Sequence, residues 1–394
     1  MAFFLVLLSS IFFYLSLDFL STFRASHTYL TFFVPLLVLL LVFERRISRF
    51  RLSSREEVKN LMSPSRPRAS IYAGVFLMVQ SLVVHFFGGS VGREGIGIQL
   101  GAWSARWANA PRWYRAGCIA TGITVILGAP ITATAFLFES ALMQKKKFNW
   151  LEVIAVPVMA TGADLLIKGI GIKHFSFPRF GVSALGQLAD AKSMAIVVGL
   201  ILLVTLLSAI FLQILARTAA MVSIATDRSL LFGAGGFLGF FTFVAFFFGE
   251  MAGLTGLGSQ VWPSLYGSET AALEIGPQLL LLAILKVAFT AGFSGLGFKG
   301  GEVTPMLVVG TFCGVYLATV SVPILAVIAF STVWGVTARR PFVAAALGYE
   351  YFGGAAIAAG LVTFLSLKLG DAIFKSRLIK NEKVRNAWQC GLYD

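Results

Sequence analysis

Charge is scarce in this chain. Only 13% of its 394 residues are Asp, Glu, Lys or Arg, while 57% are hydrophobic. With a mean hydropathy of +0.84, that balance excludes a soluble globular domain, in which about a quarter of residues carry charge. Cysteine is scarce too. Cys118, Cys313 and Cys390 are odd in number and far apart, so neither a disulfide framework nor a metal knuckle is implied. His27, His85 and His174 stand isolated in sequence, and no HExxH or Cys/His cluster occurs. No metal and no cofactor site is therefore expected. No nucleophile–base pair suggests an intramembrane enzyme.

Long apolar runs are what the chain has in abundance. "FFVPLLVLLLVF" (32–43), "AIVVGLILLVTLLSAIFLQIL" (195–215) and "LLFGAGGFLGFFTFVAFFFG" (230–249) belong to segments long enough to cross a hydrocarbon core about 30 Å thick. The residues lack barrel alternation, and helices satisfy their own backbone in lipid, so the reading is an all-α polytopic membrane protein. The net charge of +14 sits in short runs between spans: 44–51, 65–68, 144–148, 338–340 and 375–385. That is the positive-inside distribution rather than a nucleic-acid footprint, and it places both termini in the cytoplasm. The N-terminus lacks a basic n-region and reads as a first membrane helix.

Spans are expected at 2–23, 28–44, 118–143 (broken at 127–133), 150–170, 191–218, 229–250, 278–294, 303–320, 322–337 and 341–369. Ser54 with Glu57, or Ser53 with Glu56, has capping-box spacing for a helix running with interruptions toward 87. Several spans are short or broken by Gly and Pro, the trace of discontinuous helices whose ends meet at mid-membrane. "GLTGLGSQ" (253–260) follows a membrane span and not a strand, so it is no dinucleotide loop.

Two glycine-rich breaks each carry a glutamate, one in each half of the chain. In "VGREGIGIQLG" (91–101), Arg93 and Glu94 lie between Gly92 and Gly95. A carboxylate at membrane depth is costly and marks a functional site by default. Backbone N–H groups exposed at a helix start would attract that carboxylate or a competing anion. In "GFKGGEVTP" (297–305), Glu302 precedes Val303 and Thr304, and Pro305 suits the first turn of a helix. Close helix packing is what such glycines alone would indicate.

Together, "FFGGSVGREGIGIQLG" and "GFKGGEVTPMLVVGTFCG" resemble the CLC family of chloride channels and anion/proton exchangers. The form GFKGGEVTP, and Ile96 where proline follows GREG in much of the family, is similar to the fluoride/proton antiporter branch. "ILGAPITATAFLFES" (126–140) resembles the end of the family's first half, with Ser140 where chloride exchangers have a second acid. The resemblance covers most of residues 45–376 and implies two inverted-topology halves, 1–185 and 186–376, followed by a short basic tail at 377–394.

It further implies a homodimeric inner-membrane exporter that exchanges cytoplasmic fluoride for protons and is not an enzyme. Glu94 would be the gate and proton carrier, and Glu302 a second proton site. Gly92, Arg93, Gly95, Val303 and Thr304 would surround the anion. Ser53 or Ser54 would approach the anion in place of the family's inner serine, unless it is a plain N-cap, and Phe374 aligns with the family's inner tyrosine. "FRLSSREE" lacks that serine's glycines, Phe374 lacks a hydroxyl, and Arg339 and Arg340 stand where the family is small and polar. A chloride channel or chloride/proton exchanger of the same fold is the alternative.

Overall fold

The computed structural model describes residues 1–46, 70–145, 147, 149–172, 174, 177–248, 262, 269–298, 300–318 and 324–375. The described chain is helical almost throughout, with one isolated antiparallel bridge, between Gly92 and Gly301. Among the described residues, six helices are long and apolar enough to cross a membrane. Their outward faces carry large apolar side chains, such as Phe240, Phe243, Phe246 and Phe247 on one helix. Such faces are stable only in contact with lipid or another apolar surface.

The chain divides into two compact units that do not follow its order. One comprises Met1–His174, Ala225–Phe247 and Gly297–Glu302; the other comprises Phe175–Ile224, Phe248–Leu296 and Val303–Asp394.

In the first unit, α1 (Ala2–Ser26) is followed by a 3-10 segment (Thr28–Leu36) and α2 (Leu37–Arg46). The sequence α3 (Ile71–Phe86), α4 (Glu94–Trp107), α5 (Arg112–Leu127), α6 (Pro130–Met143) and α7 (Trp150–Gly169) then builds most of its interior. Helix α9 (Asp227–Phe248), apart from its last residue, also belongs here. Helix α1 packs on α3, α4 and α5, and α5 packs on α4, α6 and α7.

The expected break within 118–143 is present, and its chemistry is local. Gly128 ends α5 at φ +70, a left-handed conformation that a side chain rarely adopts. Pro130 then opens α6, where its missing N–H costs nothing. The expected capping boxes at Ser53 and Ser54 lie outside the described residues. The chain does form one at the start of α7: Asn149 Oδ1 accepts from the Leu151 N–H (3.4 Å), and Glu152 accepts from the Asn149 N–H (3.1 Å). Glu152 also pairs with Arg112 of α5 at 2.6 Å, so one buried carboxylate both caps α7 and ties it to α5.

The second unit contains a 3-10 segment (Val182–Leu188), α8 (Ala191–Ile224), α10 (Glu269–Leu296), α11 (Val303–Ala318), α12 (Ile324–Ala338), α13 (Pro341–Phe352) and α14 (Ala358–Lys375). Helix α11 packs on α10 and α12, α8 packs on α10, and α12, α13 and α14 pack on one another. Hydroxyls stitch these interfaces. Thr337 donates to Ser208 Oγ (3.1 Å), Ser331 donates to the Ala344 carbonyl (2.8 Å), and Thr205 lies 3.3 Å from the Ser366 carbonyl. Such bonds replace water where none is available.

Two expected spans are corrected. The span at 341–369 is two helices, because Gly353, at φ +87 and ψ −163, turns the chain and a short 3-10 turn (Gly354–Ile357) follows. The span expected from 118 begins at Arg112, since Pro111 sets the preceding turn and Arg112 holds Glu152. The apolar window missed both because hydropathy averages across a local turn.

Cys118 and Cys313 are fully buried. With Cys390 replaced by serine, the folded protein is expected to resist maleimide labelling, and denaturation should expose two thiols. Rapid labelling of the native protein would contradict the placement of α5 and α11.

Candidate functional site

The two glutamate-bearing motifs are joined by their glycine backbones. Gly92 donates its N–H to the Gly301 carbonyl, and the Gly301 N–H returns a bond of 2.7 Å to the Gly92 carbonyl. Such reciprocal bonding closes a two-residue antiparallel bridge with no sheet around it. A methyl group built on Gly95 would overlap the Gly300 carbonyl, and one on Gly300 would meet the Gly92 carbonyl at 2.7 Å. Backbones this close require glycine. Helix α4 starts two residues after Gly92, and α11 starts two residues after Gly301.

Glu94 is the first residue of α4, so its carboxylate lies in the turn where the helix dipole favours negative charge. The side chain is only 1% exposed. It folds back onto the bridge. A methyl built on Gly92 would collide with Glu94 Oε2, and one on Gly301 would lie 3.1 Å from the same oxygen. The missing side chains of Gly92 and Gly301 are therefore the space that Oε2 occupies. Arg93, the N-cap residue, is buried beside it and sets its guanidinium 5.2 Å from the centre of the Tyr14 ring on α1. That cation–π contact anchors the loop to α1.

Glu302 follows the bridge directly and is 7% exposed. The first unit thus gathers Gly92, Arg93, Glu94 and Gly95 with Gly300, Gly301 and Glu302. Val303 and Thr304 follow in the chain as the first residues of α11, are buried, and belong to the second unit. Pro305 falls in the first turn of that helix, as its sequence position indicates. Phe374 is half-buried near the end of α14. Ser54 lies outside the described residues.

Ser140, which stands where a second acid would be, turns its hydroxyl back to the Phe136 carbonyl of its own helix at 2.5 Å. Arg339 adopts φ +57 at the end of α12 and pairs with Asp371 of α14 at 3.2 Å. Arg340 is buried, and its N–H donates to the Gly335 carbonyl at 2.7 Å. The ion pair with Asp371 gives the Arg339 side chain a role at a position expected to be small and polar.

Sequence reasoning passed over three features. Tyr14 supports Arg93 from the middle of α1, where it is one aromatic residue among several. His174 sits 5.0 Å, ring centre to ring centre, from Tyr14 although 160 positions separate them in sequence. Lys286 is wholly buried in α10. A lysine in "LLLLAILKVAF" (279–289) was visible as a charge at membrane depth, which itself marks a position of interest. The Tyr14 and His174 contacts have no local signal.

A family model described as voltage gated chloride channel matches residues 35–368. The chain belongs to the CLC family. Among solved CLC structures, the chain is similar to the crystal structure of a CLC-type fluoride/proton antiporter. The TM-score is 0.70 and the identity 21%, with 94% of each chain covered. It is also similar to a slow cyanobacterial Cl−/H+ antiporter, with a TM-score of 0.67 and 16% identity, covering 98% of this chain and 95% of the other. At these identities the likeness establishes the fold: an all-α, multi-pass CLC membrane protein.

A chloride/fluoride channel protein from Pseudomonas syringae pv. tomato is 27% identical over 295 residues, covering 70% of this chain and 62% of the relative. A putative ion-transport protein, YfeO, from Escherichia coli is 25% identical over 253 residues, covering 61% and 57%. The chain thus spans roughly three fifths of the length of these curated relatives.

Proposed function

We propose that this CLC protein is a secondary active transporter that exports fluoride in exchange for protons. The observation that carries the reading is Glu94 folded onto the Gly92–Gly301 bridge at the start of α4. A carboxylate there occupies a place suited to a small anion, next to the N–H groups of a first helical turn. When ionised it competes with the anion; once protonated it leaves that place and carries the proton with it. Glu302, directly after the bridge, is the second proton site, standing in for the acid that Ser140 replaces.

Fluoride is small and strongly hydrated, so a selective site must replace its water with close donors. Backbone N–H groups around Gly92, Arg93, Gly95 and Val303, with the Thr304 hydroxyl, form the proposed set. Phe374 contributes a ring edge at most, and Ser54 an inner hydroxyl. Two features support fluoride: the motif GFKGGEVTP with Ile96, and the structural similarity to a fluoride/proton antiporter. The reading includes a homodimer in a bacterial-type inner membrane, two inverted halves at 1–185 and 186–376, and cytoplasmic termini.

Chloride transport on the same fold is the competing reading, favoured by the similarity to a Cl−/H+ antiporter. Efflux of fluoride and of chloride from one batch of proteoliposomes decides between them. Fluoride efflux is expected to be faster by about tenfold or more, the scale on which a site built around one ligand's hydrogen bonds discriminates. Faster chloride efflux would reject the fluoride reading and leave the exchanger reading intact.

A further inference from the structure

Two titratable side chains from outside the glutamate motifs, Tyr14 on α1 and His174 just beyond α7, approach the first motif at Arg93, the N-cap of α4. The His174 Nε2 lies 3.0 Å from the Val125 carbonyl of α5. Its ring presses on Gly128, where a built methyl would meet the imidazole Nδ1 at 2.7 Å. These contacts leave the imidazole little freedom against the end of α5. The Tyr14 ring lies 5.0 Å away and is tilted by 48°. That same ring carries the Arg93 guanidinium at 5.2 Å. The contacts therefore run unbroken from His174 through Tyr14 and Arg93 to Glu94, the next residue in the chain. A second histidine, His85 on α3, packs edge-on against Phe13, one residue before Tyr14 on α1.

We propose that His174 is a positioning residue for Glu94: it holds Arg93 through the Tyr14 ring and changes that hold when the imidazole takes up a proton. The inference rests on the proposed role of Glu94 as gate. With His174 neutral, one cation shares the electron-rich face of Tyr14. Once protonated, His174 places a second cation beside the same ring, and the two charges repel. The imidazole is fixed by Val125 and Gly128, so the repulsion acts on the hold of Arg93. A displaced Arg93 shifts the N-cap of α4 and, with it, the seat of Glu94.

The charged and titratable groups facing His174 are Tyr14 from α1, Arg93 from α4, and Asp164 and Lys168 from α7. Asp164 and Lys168 are paired with each other at 2.6 Å, so their opposing fields largely cancel at the imidazole. Burial holds His174 below its ordinary value of 6.5; the bond to Val125 opposes this and the Arg93 cation adds to it. A midpoint held below the ordinary value places the change in hold under acid conditions.

Two measurements on the full-length protein test this. In the first, histidine-selective isotope labelling resolves the three imidazoles, and loss of a signal in His174→Gln, or in His174→Asn should Gln not fold, assigns the one at 174. Arg93→Gln is expected to raise the His174 titration midpoint by about half a pH unit or more, and Arg93→Lys to leave it in place. An unmoved midpoint in Arg93→Gln overturns the coupling, and this readout needs no transport.

In the second, fluoride and chloride efflux from liposomes is followed against pH. His174→Gln keeps an N–H donor for Val125 but cannot be charged. It is expected to match the parent within about twofold at neutral pH and to differ by about threefold or more near pH 5. Parallel profiles overturn the proposal. If neither anion moves in any protein, the transport reading fails, while the titration still decides whether His174 and Arg93 are coupled.

Discussion

Glu94→Gln in proteoliposomes is expected to keep anion movement and to lose proton movement, with proton uptake falling by at least about tenfold. Glutamine has nearly the shape of the protonated carboxyl group. Like that form, it is expected to leave the space beside Gly92 and Gly301 that Oε2 occupies, and it cannot exchange a proton or repel an anion. In the proposed exchanger, loss of that cycle leaves a proton gradient unable to drive fluoride uphill, and the anion runs down its own gradient. Simultaneous recording of fluoride and proton flux makes the test direct. Proton uptake at the parental rate in Glu94→Gln would remove Glu94 from the proton route. Glu302→Gln separates the two sites: loss of proton uptake there as well supports a two-glutamate path, and unchanged uptake restricts the chemistry to Glu94.

The second large effect is expected from one methyl group. In Gly95→Ala the new carbon overlaps the Gly300 carbonyl. That carbonyl cannot retreat as a flexible side chain would, since the neighbouring Gly301 is held to Gly92 by paired hydrogen bonds. Overpacking of this kind costs about 1–3 kcal/mol, and more where backbone must move. The expected outcome is a markedly lower Tm in detergent, with loss of transport. Gly162 on α7 and Gly199 on α8 serve as controls, because a methyl at either meets nothing within 4 Å. Alanine there removes a flexible residue from a helix and should raise stability by up to about 1 kcal/mol. A parental Tm for Gly95→Ala would contradict the bridge itself.

Much of the architecture was legible in the sequence, for physical reasons that differ between elements. Spans such as 191–218 are uniformly apolar because lipid surrounds or neighbours them, so hydropathy marks them. The break after Leu127 was legible because Gly128 and Pro130 act locally, one through φ and one through a missing N–H. Pro341 opens α13 in the same way, but the turn at Gly353 was hidden, since an apolar run with scattered glycines reads the same whether it bends or not. The capping box at Asn149 and Glu152 is local in the same sense, a spacing of three residues directly after the basic run, while the tie from Glu152 to Arg112 is set by packing.

The sequence by itself determined that this is a membrane-spanning, all-helical CLC chain, and that Glu94 and Glu302 are the carboxylates to examine. Composition and short motifs carry that information, because transfer to lipid and glycine backbone freedom are properties of a residue and its immediate neighbours. Only the tertiary structure decided that Gly92 and Gly301 share paired hydrogen bonds, that Glu94 folds back onto that bridge, and that Arg93 rests on Tyr14 beside His174. Each of these joins residues from 79 to 209 positions apart. A pairing at such a distance has no local propensity to announce it. It is chosen by the packing of whole helices, which brings into contact groups that the order of the chain keeps separate.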